Sequence, residues 1–183
     1  MVIEDAAYAF LAADAPPPVA SLAPERTVYV GGLSKSVATG LRVGFVAAPN
    51  EWVKPLERTI MATTWNVPGV MSAIAVAWID DGTVAQLEAQ KREDAQARQA
   101  LAARVLKGLA YTSHPSSYFL WLPLAEDARA DQVAMTLQRE GVCVSTAEPF
   151  AVSGHVPHAL RLALGSVAMP ALHEALHNVR KVV

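Results

Sequence analysis

The chain has 183 residues, 52% of them hydrophobic, and a formal net charge of -2. That balance fits a soluble globular protein and supplies no general attraction to nucleic acid; the basic residues are scattered rather than gathered into a stripe with interleaved aromatics. A single cysteine, Cys143, excludes an internal disulfide and leads us to expect a reduced, cytoplasmic protein. In chain order, Met1 to Glu4 and Thr27 to Val30 read as strands, and the segment Ala15-Pro16-Pro17-Pro18 between them is too broken for a long helix. Val43 to Ala47 reads as a third strand, closed by Pro49. Asn50 is expected to cap a helix starting at Glu51, with Val53, Leu56, Ile60 and Met61 near helical spacing. Trp65 to Pro68 breaks that helix, and a second one runs from Gly69 to Asp80, where Gly82 ends it.

The stretch from Thr59 to Ile79 carries no charge and has the length of a membrane span, but Asn66, Pro68 and Gly69 interrupt it, so buried helix is expected instead. Glu4 and Asp5 stand where a signal peptide would be basic. Thr83 to Leu109 reads as a long amphipathic helix with Val84, Leu87, Ala95, Leu101, Val105 and Leu109 on its apolar stripe, long enough to join two domains. Beyond it we expect strands at Ser117 to Leu122, Val142 to Ser145 and Leu160 to Leu164, and helices at Ala130 to Arg139 and Pro170 to Val182. The densest basic pairs, Lys91-Arg92 and Arg180-Lys181, read as solvated helix faces. His173 and His177 share a helical spacing but lack a third ligand in sequence, so no metal site is expected.

The chemistry is concentrated in Tyr29-Val30-Gly31-Gly32-Leu33-Ser34-Lys35-Ser36-Val37-Ala38-Thr39-Gly40-Leu41-Arg42-Val43-Gly44-Phe45. A strand, a tight turn and a second strand present Lys35, whose amine can form a Schiff base, and Arg42 seven residues later offers a forked guanidinium suited to a phosphate. An amine and a phosphate clamp together imply an aldehyde-bearing phosphate ester, and pyridoxal phosphate is the cofactor with that combination. Its ring nitrogen needs a carboxylate partner, for which Asp5 is the candidate, and Tyr8 three residues on can hydrogen-bond the ring's phenolic oxygen. Read singly, Lys35 is an exposed turn lysine, Asp5 a turn former and Tyr8 core packing; read together, in this order, they form a cofactor set. Ser34 and Ser36 read as turn residues or phosphate neighbours.

Asp5-Ala6-Ala7-Tyr8, then Gly32-Leu33-Ser34-Lys35, then Gly40-Leu41-Arg42-Val43-Gly44 resembles the second half of a fold-type I aminotransferase. The resemblance implies that Asp5 partners the pyridinium, Tyr8 touches the ring oxygen, Lys35 carries the cofactor covalently and Arg42 binds its phosphate. The pattern departs at Gly32, where the family often has a serine or threonine phosphate ligand. Thr64-Trp65-Asn66-Val67-Pro68, Trp78-Ile79-Asp80-Asp81-Gly82, Ala97-Arg98-Gln99-Ala100-Leu101 and Ser117-Tyr118-Phe119-Leu120-Trp121-Leu122-Pro123-Leu124 narrow the likeness to the aminotransferase-like domain of MocR-type GntR-family transcriptional regulators. By that resemblance Arg161 takes a substrate α-carboxylate, although from spacing alone an exposed strand arginine is as good a reading. Thr64 to Asn66 resemble the segment that reaches a neighbouring subunit's site, and core packing for Trp65 is an equal reading.

The implied fold class is α/β: residues 1–108 are the C-terminal part of the large cofactor-binding domain with its linking helices, and 109–183 are a small C-terminal α+β domain. A full domain of this family is about twice as long, so the expectation is a partial domain whose missing part precedes Met1. The implied function is a partial pyridoxal-phosphate-binding effector domain of a regulator, responding to a small amino compound or amino acid. The alternatives are an amino-acid aminotransferase working through Lys35 and a truncated remnant that binds no cofactor. A homodimer is expected, with no membrane contact and no nucleic-acid contact from this chain itself.

Overall fold

A computed structural model describes all of residues 1–183. Contacts divide the chain into two compact units, Met1–Arg92 and Glu93–Val183, and the division falls inside one long helix.

The first unit is built on three strands, β1 (Val2–Asp5), β2 (Thr27–Gly32) and β3 (Gly44–Ala47), in the order β1-β2-β3. β1 and β2 run parallel, with Val2 opposite Thr27 and Asp5 opposite Val30, whereas β3 returns antiparallel to β2. Parallel neighbours need a crossover. Here the connection is broken by prolines into a 3-10 turn at Ala9–Leu11 and the short helix α1 (Val19–Leu22). Glu4 satisfies the first amides of α1, its carboxylate accepting from Val19 and Ala20 at 3.0 Å each, as an anion at a helix N-terminus should. After β2 come α2 (Leu33–Ser36), a 3-10 turn at Thr39–Leu41, and beyond β3 the helices α3 (Asn50–Thr63) and α4 (Gly69–Asp80). The small core joins Leu33, Leu41 and Ala75 to Val37, Val43, Met71, Ile74, Trp78 and Val84.

Two expectations are corrected in this unit. Asn50 does not cap α3: Pro49, extended at ψ 144°, precedes the helix, and Asn50 is already helical with no side-chain cap bond in place. The uncharged stretch from Thr59 to Ile79 forms parts of two helices around a break, and no helix is long and apolar enough to cross a membrane. Nor is it buried. α3 has no buried residue and α4 only Ala75, while Val70, Val76 and Ile79 are each more than half exposed. An apolar sequence states what favours being covered, and within this chain nothing covers these faces.

The helix α5 (Thr83–Val105) begins in the first unit and ends in the second. The second unit has a four-stranded antiparallel sheet of β4 (Thr112–Ser113), β5 (Phe119–Pro123), β6 (Ser145–Thr146) and β7 (Ala159–Ala163), ordered β4-β5-β7-β6, with α6 (Ala130–Arg139) and α7 (Met169–Val182). Period-2 leucines on β5 (Leu120, Leu122) and β7 (Leu160, Leu162) meet Leu172, Leu176 and Val179 of α7, one turn apart, and Leu101, Val105 and Leu106 at the end of α5. The strand expected over Val142 to Ser145 reduces to Ser145–Thr146. Gly141 at φ +78° turns the chain out of α6, and the Val142 amide donates to the Leu137 carbonyl, closing the helix instead of joining a ladder. Cys143 is exposed.

Candidate functional site

Asp5 is the last residue of β1, and its Oδ1 accepts the Ala7 amide at 2.9 Å, a local turn that redirects the chain as it leaves the strand. The turn carries Tyr8 back toward the neighbouring strand's end. Lys35 lies in α2, which starts immediately after β2, and its Nζ stands 5.8 Å from the centre of the Tyr8 ring. Because β1 and β2 are parallel, Asp5 and the segment leading to Lys35 leave the sheet at the same end, where open α/β sheets place their ligands.

Arg42 follows the 3-10 turn at Thr39–Leu41 and adopts φ 52°, ψ 27°, a left-handed conformation that costs an L-residue about 1 kcal/mol or more. The strain is held by its neighbours: Leu41 is buried in the small core, and the Val43 carbonyl accepts the Leu33 amide at 3.0 Å. That bond ties the Arg42 segment to the start of α2, one turn from Lys35. Gly32 occupies the same junction, and a Cβ there would lie 3.1 Å from the Val43 oxygen and 3.3 Å from the Gly44 Cα. A serine or threonine at 32 would therefore require the Val43–Gly44 backbone to give by a few tenths of an ångström. Ser36 is buried on the Leu33 side of α2, and its hydroxyl makes no hydrogen bond.

Sequence reasoning missed the groups that fix these segments. Lys91 donates from Nζ to the Lys35 carbonyl at 2.9 Å, and Arg92 donates to the Phe10 carbonyl at 2.8 Å, so this basic pair is not a solvated face. It fastens α5 to the two segments bearing Lys35 and Tyr8. Arg180 likewise donates to the Val105 and Lys107 carbonyls, at 2.7 and 2.6 Å.

In the second unit Arg161 is the middle residue of β7, opposite Trp121 on one side and Ser145 on the other. Leu160 and Leu162 point into the core, so Arg161 projects from the other face, half-buried, with its guanidinium carbon 3.8 Å from the centre of the Phe119 ring. Asp94 and Arg98 of α5 and Tyr118, the residue just before β5, brace this region. Asp94 accepts from Arg98 Nε at 2.8 Å and from the Tyr118 hydroxyl at 2.9 Å, and Arg98 also donates to the carbonyls of Leu164 and Val167, just past β7. Burial acts to raise the Asp94 carboxyl, but the bonds from Arg98 and Tyr118 outweigh it and hold it below the usual range. Burial, then the Asp94 carboxylate, pushes the Tyr118 phenol up to about 12. Gln99, equally hidden, donates to the Ser117 and Phe119 carbonyls. Trp65 is 67% exposed at φ 68°, which removes the core-packing reading.

The model of the family described as aminotransferase class I and II matches residues 1–179. The chain is 30% identical over 177 residues to the uncharacterized HTH-type transcriptional regulator YdeF of Bacillus subtilis, covering 97% of this chain and 38% of that protein. It is 25% identical over 160 residues to a 2-aminoadipate transaminase of Thermus thermophilus, covering 85% of this chain and 40% of the enzyme. Among solved structures, that of LysN, an α-aminoadipate aminotransferase from Thermus thermophilus, superimposes with a TM-score of 0.86 at 23% identity, over 100% of this chain and 49% of that one. The chain therefore spans about two fifths of the curated relatives and about half of the solved chain. With the family's model running through both units, this chain is part of an aminotransferase-like domain and belongs to the class I and II aminotransferase family.

Proposed function

We propose that this chain is the C-terminal part of a pyridoxal-phosphate-binding domain that serves as the effector-sensing portion of a MocR/GntR-type transcriptional regulator. One observation carries the reading: the Lys35 amine stands beside the Tyr8 ring at the shared end of two parallel strands, with a strained Arg42 fastened to the same turn. Two similarities support it: the solved LysN is a complex with a phosphopyridoxyl-leucine, and the HTH-type regulator YdeF is similar over nearly the whole chain. The division of labour is between residues 1–108, the cofactor-binding part, and 109–183, the small domain that meets the amino compound.

The residues present fit the cofactor in charge and in type. When bound, pyridoxal phosphate supplies an aldehyde carbon that takes primary amines and a ring that draws electrons when its nitrogen is protonated. Asp5, at the β1 end with Oδ1 engaged by Ala7, offers its second oxygen to keep that nitrogen protonated. Tyr8 would hydrogen-bond the ring oxygen, and Lys35 would hold the cofactor by its aldehyde group and be the amine that an incoming amino compound competes with. Arg42, exposed on the segment tied to the start of α2, would offer its guanidinium to the phosphate. Arg161 takes the amino compound's carboxylate. The partners are a small amino compound and a second copy of the chain, and the setting is the cytoplasm.

The alternative, an amino-acid aminotransferase, draws on the similarity to the Thermus transaminase and needs the same residues, with Lys35 also moving the proton. The test is the absorbance of purified protein mixed with pyridoxal phosphate, before and after borohydride. A band in the parent that borohydride fixes covalently, and that is lost in Lys35→Ala, is expected; matching spectra for parent and variant would remove both readings and leave a remnant that binds no cofactor. Turnover of an amino acid beyond one equivalent separates the enzyme from the sensor.

A further inference from the structure

The arginines of this chain that lie against other elements have acceptors. Arg98 bonds Asp94 and two carbonyls, Arg92 bonds Phe10 and Arg180 bonds two carbonyls. Arg161 is different: half-buried on β7, its guanidinium donates to no group of the protein. Its company is aromatic instead, the Phe119 ring at 3.8 Å and the Phe150 ring at 5.3 Å from the guanidinium carbon. Phe119 comes from β5 two residues before Trp121, the register partner of Arg161, and Phe150 from the 3-10 turn Glu148–Phe150 that follows β6.

A partly dehydrated cation with unused donors is costly unless a ligand takes them. A guanidinium stacked on an aromatic ring keeps its plane, and its N–H groups, which lie in that plane, are then offered edge-on. We propose that Phe119 and Phe150 are positioning residues of a carboxylate receptor: they fix the plane of the Arg161 guanidinium for bidentate contact, and the half-exposed Phe150 ring receives an apolar group carried on the same ligand. The ligand class is a carboxylate on an apolar or aromatic carbon frame. This rests on the reading of Arg161 as the carboxylate arginine and adds what sets its geometry and its preference.

The test follows the arginine Nε–H signals of the 15N-labelled 183-residue chain by NMR, titrated with 3-phenylpropionate and with acetate. In the free chain the Arg161 signal, assigned through Arg161→Lys, is displaced by the ring current of Phe119 and moves toward the other arginines in Phe119→Leu. The expected result is that 3-phenylpropionate shifts this signal, that acetate binds more weakly, and that Phe119→Leu and Phe150→Leu each weaken 3-phenylpropionate by about threefold to tenfold, the range of an aromatic–cation contact. Phe150 is half exposed, so its leucine variant keeps the fold and serves if Phe119→Leu does not. Parent-like affinity in the leucine variants, with loss in Arg161→Lys, overturns the aromatic role and leaves Arg161 as the carboxylate residue. Arg161→Lys has no Nε–H at that position, so its binding is read on the indole N–H of Trp121, the register partner of Arg161; parent-like titration of that signal in Arg161→Lys, or a flat titration of the parent, overturns both.

Discussion

Arg42 combines an unfavourable backbone with a charged side chain, and the two can be separated by substitution. Glycine populates φ 52° freely, so Arg42→Gly should leave stability unchanged or raised by up to about 1 kcal/mol in denaturant unfolding. Its affinity for pyridoxal phosphate should fall tenfold or more. Retained affinity would mean that Arg42 does not hold the phosphate. At Tyr118 the hydroxyl bond to Asp94 sets a pH dependence. The phenol's folded value is raised to about 12 from 10, so its contribution is fully present below pH 10 and is lost as pH climbs from 10 toward 12. Asp94, held below 3.8, acts oppositely: its contribution is present above the ordinary carboxylate value and lost as pH falls through the lower, folded one. Tyr118→Phe should therefore cost about 1 kcal/mol at neutral pH and flatten the alkaline loss of thermal stability between pH 10 and 12. An unchanged alkaline profile would place that loss elsewhere. Lys35, Tyr8 and Arg42 stand out in the sequence as candidates because their order is specific. Arg98, Gln99 and Lys91 do not, since a polar residue on a charged helix has the same pattern whether it is solvated or hydrogen-bonded across the fold.

Elements with a regular apolar period read through well. α6 and α7 match their expected bounds to within a residue, and the alternating leucines of β5 and β7 sit on the core face. Shorter pieces did not: β4 and β6 are two residues each, below the length at which alternation carries information. The end of α3 offers a test of how its terminus is set. The amides of Thr64 and Trp65 both donate to the Ile60 carbonyl, and Trp65 takes the left-handed position that glycine usually fills. With 67% of Trp65 exposed, little packing is lost on removing it, so Trp65→Gly should stabilise the protein by about 1 kcal/mol, a rise of about 2 to 4 °C in Tm. A fall in Tm would show that the indole holds α3 in place.

At the scale of the molecule the open question is what covers the first unit's apolar surface. Ile3 is 74% exposed on β1, an edge strand paired only with β2, and Phe45 and Val46 of β3 are exposed as well. Uncovered strand edges and apolar faces drive association. Sedimentation should find dimers or larger species of the parent, and Ile3→Lys should shift the distribution to lower mass. A parent that remains monomeric at high concentration would count against self-association through this face.

The sequence by itself determined the helices and longer strands, the order of Asp5, Tyr8, Lys35 and Arg42, and the family, because periodicity and motif spacing are written within short stretches of chain. Tertiary structure alone decided the left-handed turn at Arg42, the aromatic company of Arg161, and the bonds from Arg98 to Leu164 and from Lys91 to Lys35, which join residues 66 and 56 positions apart. Such pairings depend on how distant segments pack, and packing is settled only when the apolar faces have found one another.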